Sequence, residues 1–195
     1  VMANGNPLSA TMLDTNNSEG NALNGNGFAE FQIIDGLRVT INGSVSLDET
    51  RYTGVTNPYY GQYASSNGIV TVQHSRTMAY NLQQLINYNK TFGKHSVEAL
   101  LGHEYYNFQT NYVYGSKSNM FSQENTELGG AVTDGSAGSA RTEYNTEGFF
   151  FRGQYSYDDR YYINGSYRRD ASSRFHPDNR WGNFWSVGAA WLINK

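Results

Sequence analysis

The sequence predicts an all-β chain, an antiparallel meander of about seven strands. Three observations predict it. Apolar and polar residues alternate at period two over long runs. Tight-turn dipeptides separate pairs of those runs. The composition is rich in Gly (21) and Tyr (16) and poor in Pro (3). The clearest run is Leu37 to Leu47: Leu37, Val39, Ile41, Gly43, Val45 and Leu47 alternate with Arg38, Thr40, Asn42, Ser44 and Ser46. Side chains in a strand point alternately to opposite faces, so this run makes one apolar face and one wet face.

Taken in order, 1–27 reads as a loop, because NGNP, DTNNSEG and NALNGNG carry no periodicity. A first strand is expected near 28–34, then the turn Asp35-Gly36 and a second strand near 37–48. A long loop spans 49–68. A third strand near 69–92 includes MAYNLQQLINY, which has helix-forming residues but fits period two better through Tyr80, Leu82, Ile86 and Tyr88. No helix is predicted anywhere. Gly93-Lys94 turns the chain into a strand near 95–114, and a loop follows at 115–142. Strands near 143–157 and 160–170 flank the turn Asp158-Asp159. A loop at 171–183 leads to a last strand near 184–193, marked by Trp185, Val187, Ala189, Trp191 and Ile193.

What covers each face is the next question. The chain has no cysteine, so disulfides and thiolate-metal sites are excluded, and a net charge of −3 without a basic run gives no footprint for nucleic acid. Mean hydropathy is −0.64 and no long apolar run exists, which excludes transmembrane helices but not membrane strands. The N-terminus shows no signal peptide, consistent with a removed leader or an internal piece of a longer chain. Short connections alternate with long ones along the meander, the layout of outer-membrane barrels. The wet face carries Glu30, Gln32, Arg38, Asn42, Gln83, Asn87, Glu98, Glu104, Arg152, Gln154, Asn164 and Arg168. The apolar face crowds aromatics beside the turns (Phe92, Tyr155, Tyr157, Tyr161), and His95 and His103 are placed to flank an apolar band. A soluble antiparallel sheet packed on a second layer has the same alternation, so pattern alone leaves both readings open.

The last fifty residues go further. Tyr155 to Tyr157, the Asp159-Arg160-Tyr161 turn, the run Arg168 to Phe175, Asn179-Arg180-Trp181-Gly182 and the strand Trp185 to Trp191 resemble the barrel of SusC/RagA-type TonB-linked outer-membrane proteins. So does YNKTFGKHSVEALLGHEYY at 88–106. The resemblance implies a segment, about a third, of a large transmembrane barrel of about 22 strands that needs the remaining strands to close. It also implies energised import of oligomeric nutrients, glycan or peptide fragments, across an outer membrane of Bacteroidetes type. The implied partners are a SusD-like surface lipoprotein, TonB acting through the plug domain of the full chain, and outer-membrane lipid. The long loops would be extracellular. A soluble or surface-attached β-sheet carbohydrate-binding module is the alternative, and a structural outer-membrane protein without transport is a third reading.

Chemistry candidates are few. Asp158-Asp159 reads as a turn rather than a carboxylate pair. His74, His95, His103 and His176 lack metal-ligand spacing, and no nucleophile or phosphate-loop motif occurs. The reading is therefore of a protein without catalytic residues, cofactor or metal. Arg168, Arg169, Asp170, Arg174 and Arg180 are expected to form a structural polar network fixing strand to loop, with contact to substrate or a lid protein as the other possibility. Tyr59, Tyr60 and Tyr63 in the first long loop either stack on substrate or a partner, or pack the loop against itself.

Overall fold

The computed structural model describes residues 7–61 and 63–193. A short helix, α1 (Pro7–Leu13), precedes β1 (Thr15–Ile34), β2 (Leu37–Thr56), β3 (Ile69–Phe92), β4 (His95–Met120), β5 (Ala131–Tyr157), β6 (Tyr161–Ser172) and β7 (Trp181–Trp191). They form one seven-stranded sheet in the order β1-β2-β3-β4-β5-β6-β7. No helix among the described residues is long and apolar enough to cross a membrane, which says nothing of membrane strands.

Several boundaries differ from those expected. The segment expected as a loop at 1–27 holds α1 and more than half of β1; residues 1–6 of it lie outside the described residues. Strand β2 runs on to Thr56, β4 to Met120, and β5 begins at Ala131, so much of the expected loops at 49–68 and 115–142 is strand. Strand β7 is displaced a few residues toward the N-terminus. One cause accounts for the start of β1 and most of the early part of β5. A ladder is held by backbone hydrogen bonds, which any side chain permits. Alternation appears only where the two faces meet different surroundings. Along 15–27, and along 132–142 apart from the half-buried Gly138, both faces are exposed, so Asn, Gly and Ser serve equally well there.

The turns are built as their residues demand. Gly36 and Gly93 have φ of +84° and +60°. At Gly36 a Cβ would meet the Asn89 carbonyl oxygen at 2.5 Å. Asp158 and Asp159 both take positive φ (54° and 48°), the mirror-image turn that matches strand twist, closed by Arg160 N–H donating to Tyr157 O at 3.0 Å. Lys90 and Lys94 pair with the turn carboxylates Asp35 and Asp158 at 3.2 and 3.3 Å.

The chain divides into two compact units. The first (residues 1–23, 47–78 and 109–142) contains the small apolar core of Val55, Val70, Met120 and Ala131, with Val72 and Leu128 against it. The connections 57–68 and 121–130 fold back over this core. Met120 N–H donates to Asn67 O at 2.9 Å and Phe121 N–H to Gly130 O at 2.9 Å. Asn57, only 2% exposed, organises the first connection. Its side-chain oxygen accepts from the amides of Tyr59 and Tyr60 (3.0 and 2.9 Å), and its Nδ2 donates to Asp14 Oδ1 at 2.7 Å.

The second unit (24–46, 79–108 and 143–195) contains the tight turns and the clearest alternation. Its register aligns β5, β6 and β7 in rows. On one face lie Tyr157–Tyr161–Trp191, Tyr155–Ile163–Ala189, Gly153–Gly165–Val187, Phe151–Tyr167–Trp185 and Phe149–Arg169–Asn183. On the other lie Gln154–Asn164–Gly188, Arg152–Ser166–Ser186, Phe150–Arg168–Phe184 and Gly148–Asp170–Gly182. The apolar rows have no layer over them: Leu101 is 52% and Val187 72% exposed, and Ile41 and Ile163 are exposed too.

Asn57 ties together three backbone or side-chain donors and acceptors, so Asn57→Ala is expected to destabilise the 57–68 connection by ~2 kcal/mol. Limited proteolysis of the folded protein checks this. Cleavage within 57–68 should accelerate at least several-fold, and an unchanged cleavage rate would contradict the role.

Candidate functional site

Consecutive residues of a strand point to opposite faces, and β6 places Arg168 and Arg169 next to each other. The register therefore separates two arginines that the sequence reading put in one network. Arg168 joins the polar face. Its Nε donates to both Asp170 oxygens at 2.8 and 2.7 Å, its terminal nitrogen lies 3.7 Å from Glu104 Oε2, and its guanidinium sits 5.2 Å from the Phe150 ring centroid. Glu104 also accepts from Asn81 Nδ2 at 3.2 Å. A charged fork held by a carboxylate and laid on an aromatic ring has few other positions open to it.

Two glycines make room for this arrangement. A Cβ on Gly148 would meet Asp170 Oδ1 at 2.5 Å and an Arg168 nitrogen at 3.1 Å. A Cβ on Gly102 would collide with the Phe150 ring. The ring covers the glycine across the strands, as aromatics do for glycines in sheets.

The remaining arginines of the expected network lie elsewhere. Arg169 points to the apolar face, 4.7 Å from the Trp181 ring. Arg174 sits 3.9 Å over Tyr144, whose ring also meets Phe108 (5.2 Å) and Tyr106 (6.0 Å). Arg180 contributes its carbonyl to Ser172 N–H at 3.3 Å, while its Nε is buried with no hydrogen-bond partner. The structure thus pairs Arg168 with Asp170, leaves Arg180 beside them in the lining of one cavity, and separates Arg169 and Arg174 from them. An open cavity of about 450 Å³ is lined by Glu104, Gly148, Arg168, Asp170, Arg180 and Phe184 among others. A second polar cavity of about 680 Å³ lies beside the tight turns, with Glu30, Arg38, Asn87, Glu98, Arg152 and Gln154 in its lining.

The loop tyrosines do not pack the loop on itself: Tyr59 is 62% and Tyr60 66% exposed, and Tyr63 is exposed as well. Asn57 fixes the backbone of Tyr59 and Tyr60, and all three side chains are exposed. His95 lies at the turn end, its Nδ1 2.6 Å from the Tyr155 hydroxyl and its ring 5.0 Å from Tyr157. His103 bonds Gln84 (2.7 Å) and Glu147 (3.0 Å) and stacks on Phe149 at 4.6 Å. No group of three or more His, Cys, Asp or Glu suited to a metal ion exists among the described residues. The sequence reading placed Glu104 and Arg168 on the wet face but missed the surroundings of Arg168, namely Phe150, Gly102 and Gly148, and also Asp14 and Asn57. The available signal was glycine interrupting a strand opposite an aromatic.

An uncovered apolar face, a self-satisfied polar face and alternating short and long connections define a class, the wall of an outer-membrane β-barrel. Comparison with known proteins agrees. No protein-family model matches the chain. It is 29% identical to the TonB-dependent receptor SusC of Bacteroides thetaiotaomicron over 97% of its own length and 19% of that protein's. It is 28% identical to the TonB-dependent receptor P3 of Formosa agariphila over 97% of itself and 19% of that receptor. The RagAB peptide transporter superposes with a TM-score of 0.86 at 29% identity, covering 94% of this chain and 21% of that one. The chain is therefore homologous to TonB-dependent receptors of the SusC/RagA type, and its place is the outer membrane. It spans about a fifth of the length of the curated relatives it matches.

Gly102→Ala is expected to push Phe150 off Arg168 and cost ~1–3 kcal/mol. The temperature at which the full-length barrel loses its folded mobility on a detergent gel should fall, and Gly102→Ala with Phe150→Ala should recover most of the loss. An unchanged midpoint in the single variant would contradict the packing argument.

Proposed function

We propose that this segment is part of the wall of a TonB-dependent importer of oligomeric nutrients, glycan or peptide fragments, with a barrel of about 22 strands in the full chain. The observation that carries the reading is the uncovered apolar face, joined to the close superposition on a transporter of this type. In this reading the polar face lines the lumen. The Arg168–Asp170–Glu104 cluster is structural, holding β6 to β4 and β5 across that face. The plug domain of the full chain takes force from TonB, and a SusD-like lipoprotein covers the extracellular mouth.

The connections 57–68 and 121–130 would then face the cell exterior. Tyr59, Tyr60 and Tyr63 are exposed, the first two on a backbone held by Asn57, which suits contact with the lipoprotein or with cargo. Gly129 is the natural place to test the topology, because a Cβ there would meet nothing within 4 Å. An epitope inserted at Gly129 of the full-length protein should be labelled on intact cells; labelling only after lysis would overturn the orientation. Cells producing the full-length protein should accumulate labelled oligosaccharide or oligopeptide, and collapsing the proton gradient should abolish the accumulation. Binding without accumulation would favour the surface-attached binding module instead.

A further inference from the structure

Arg169 lies on the apolar face, away from the ion pairs of the polar face. We infer that Arg169, with Asn183 and Trp181, forms a binding site on the barrel's outer surface for the phosphate of an outer-leaflet glycolipid. The inference rests on the outer-membrane reading and on three features of the geometry.

The first is level. Rows of the apolar face run from Tyr157–Tyr161–Trp191 at the tight turns to Phe149–Arg169–Asn183. From Tyr157 to Phe149, at ~3.3 Å per residue and a tilt of ~40°, the rise along the membrane normal is roughly 20 Å, close to the height of the hydrocarbon band. The rows between are apolar or aromatic. The Arg169 row is where polar groups return: Gln84 and His103 are bonded to each other there, and Phe149 stacks on His103. This boundary lies toward the long connections, hence in the outer leaflet.

The second is charge. Arg168 is neutralised on the opposite face by Asp170 and Glu104. Arg169 makes no ion pair among the described residues; its guanidinium contacts only the Trp181 ring. The carboxylate nearest in the register, Glu147 opposite Ala171, is engaged by His103 at 3.0 Å. A cation at a membrane boundary on a tryptophan ring keeps its stem apolar and its fork toward headgroups.

The third is the neighbouring donor. Asn183 pairs with Arg169 in the register, and its side-chain oxygen accepts from the Tyr167 hydroxyl at 2.7 Å. That bond fixes the amide, leaving its nitrogen to donate and no acceptor beside it among the described residues. A planar guanidinium fork beside a fixed amide N–H, with the nearest carboxylate on this face, Glu147, hydrogen-bonded to His103, fits a phosphate's oxygens.

Native mass spectrometry of the full-length protein with lipid A, phosphorylated or dephosphorylated, tests this. The wild type should retain the phosphorylated form preferentially. Arg169→Gln should reduce that retention about tenfold, the loss expected for a charge-assisted contact, and leave the dephosphorylated form unchanged. Arg152→Gln, on the opposite face, should change neither. Equal retention of both lipids by the wild type, or equal loss in both variants, overturns the inference. A spin label at Val187 in the same preparation separates the two levels. Shielding from oxygen there would sink the barrel reading itself, whereas oxygen exposure without phosphate preference would sink only the lipid site.

Discussion

Everything in this chain depends on one constraint: the two faces of the sheet meet different media. A strand with apolar residues on one side and polar residues on the other must put the first out of water. Among the described residues nothing covers the apolar rows of β5 to β7. The buried apolar residues are confined to the small cluster of Val55, Val70, Met120 and Ala131, while Leu101, Ile163 and Val187 are open. In the proposed barrel, hydrocarbon supplies the missing layer. The same constraint explains why the polar face closes on itself through Asn42–Gln83, Glu30–Arg38 and Arg168–Asp170, since a lumen wall needs order without a core.

The arginines of β6 show how backbone geometry distributes chemistry. Two adjacent residues of one type receive opposite tasks because a strand turns each side chain by half a revolution. Arg168 becomes a fixed strut between a carboxylate and a ring. Arg169 becomes an unpaired cation at the boundary of the apolar band. Composition treats them as one basic cluster, whereas the register makes them two sites on two sides of a membrane wall.

What the sequence revealed follows the same logic. The strands 37–48 and 95–114, the three tight turns and the face assignments of Leu37 to Leu47 were legible because lipid on one side and water on the other impose period two. Strand β1 from Thr15 and the stretch of β5 just after Ala131 were not, because exposure on both faces removes the period while the backbone ladder persists. Helix α1 was missed since its seven residues are too few for a helical period to register. The Arg168 site was half legible: its charges stood out, but the glycines that admit Phe150 and Asp170 become meaningful only once strands are aligned. Family resemblance in the last fifty residues supplied what periodicity left open, the choice between lipid and a second protein layer.

Spin labels read that choice directly. In the full-length protein in bilayers, labels at Ile41 and Leu101 should relax strongly with oxygen and weakly with a water-soluble paramagnetic complex, while labels at Gln83 and Gln154 should show the opposite order. Shielding of Ile41 and Leu101 from both agents would mean that protein, not lipid, covers the apolar face, and would contradict the account at its base.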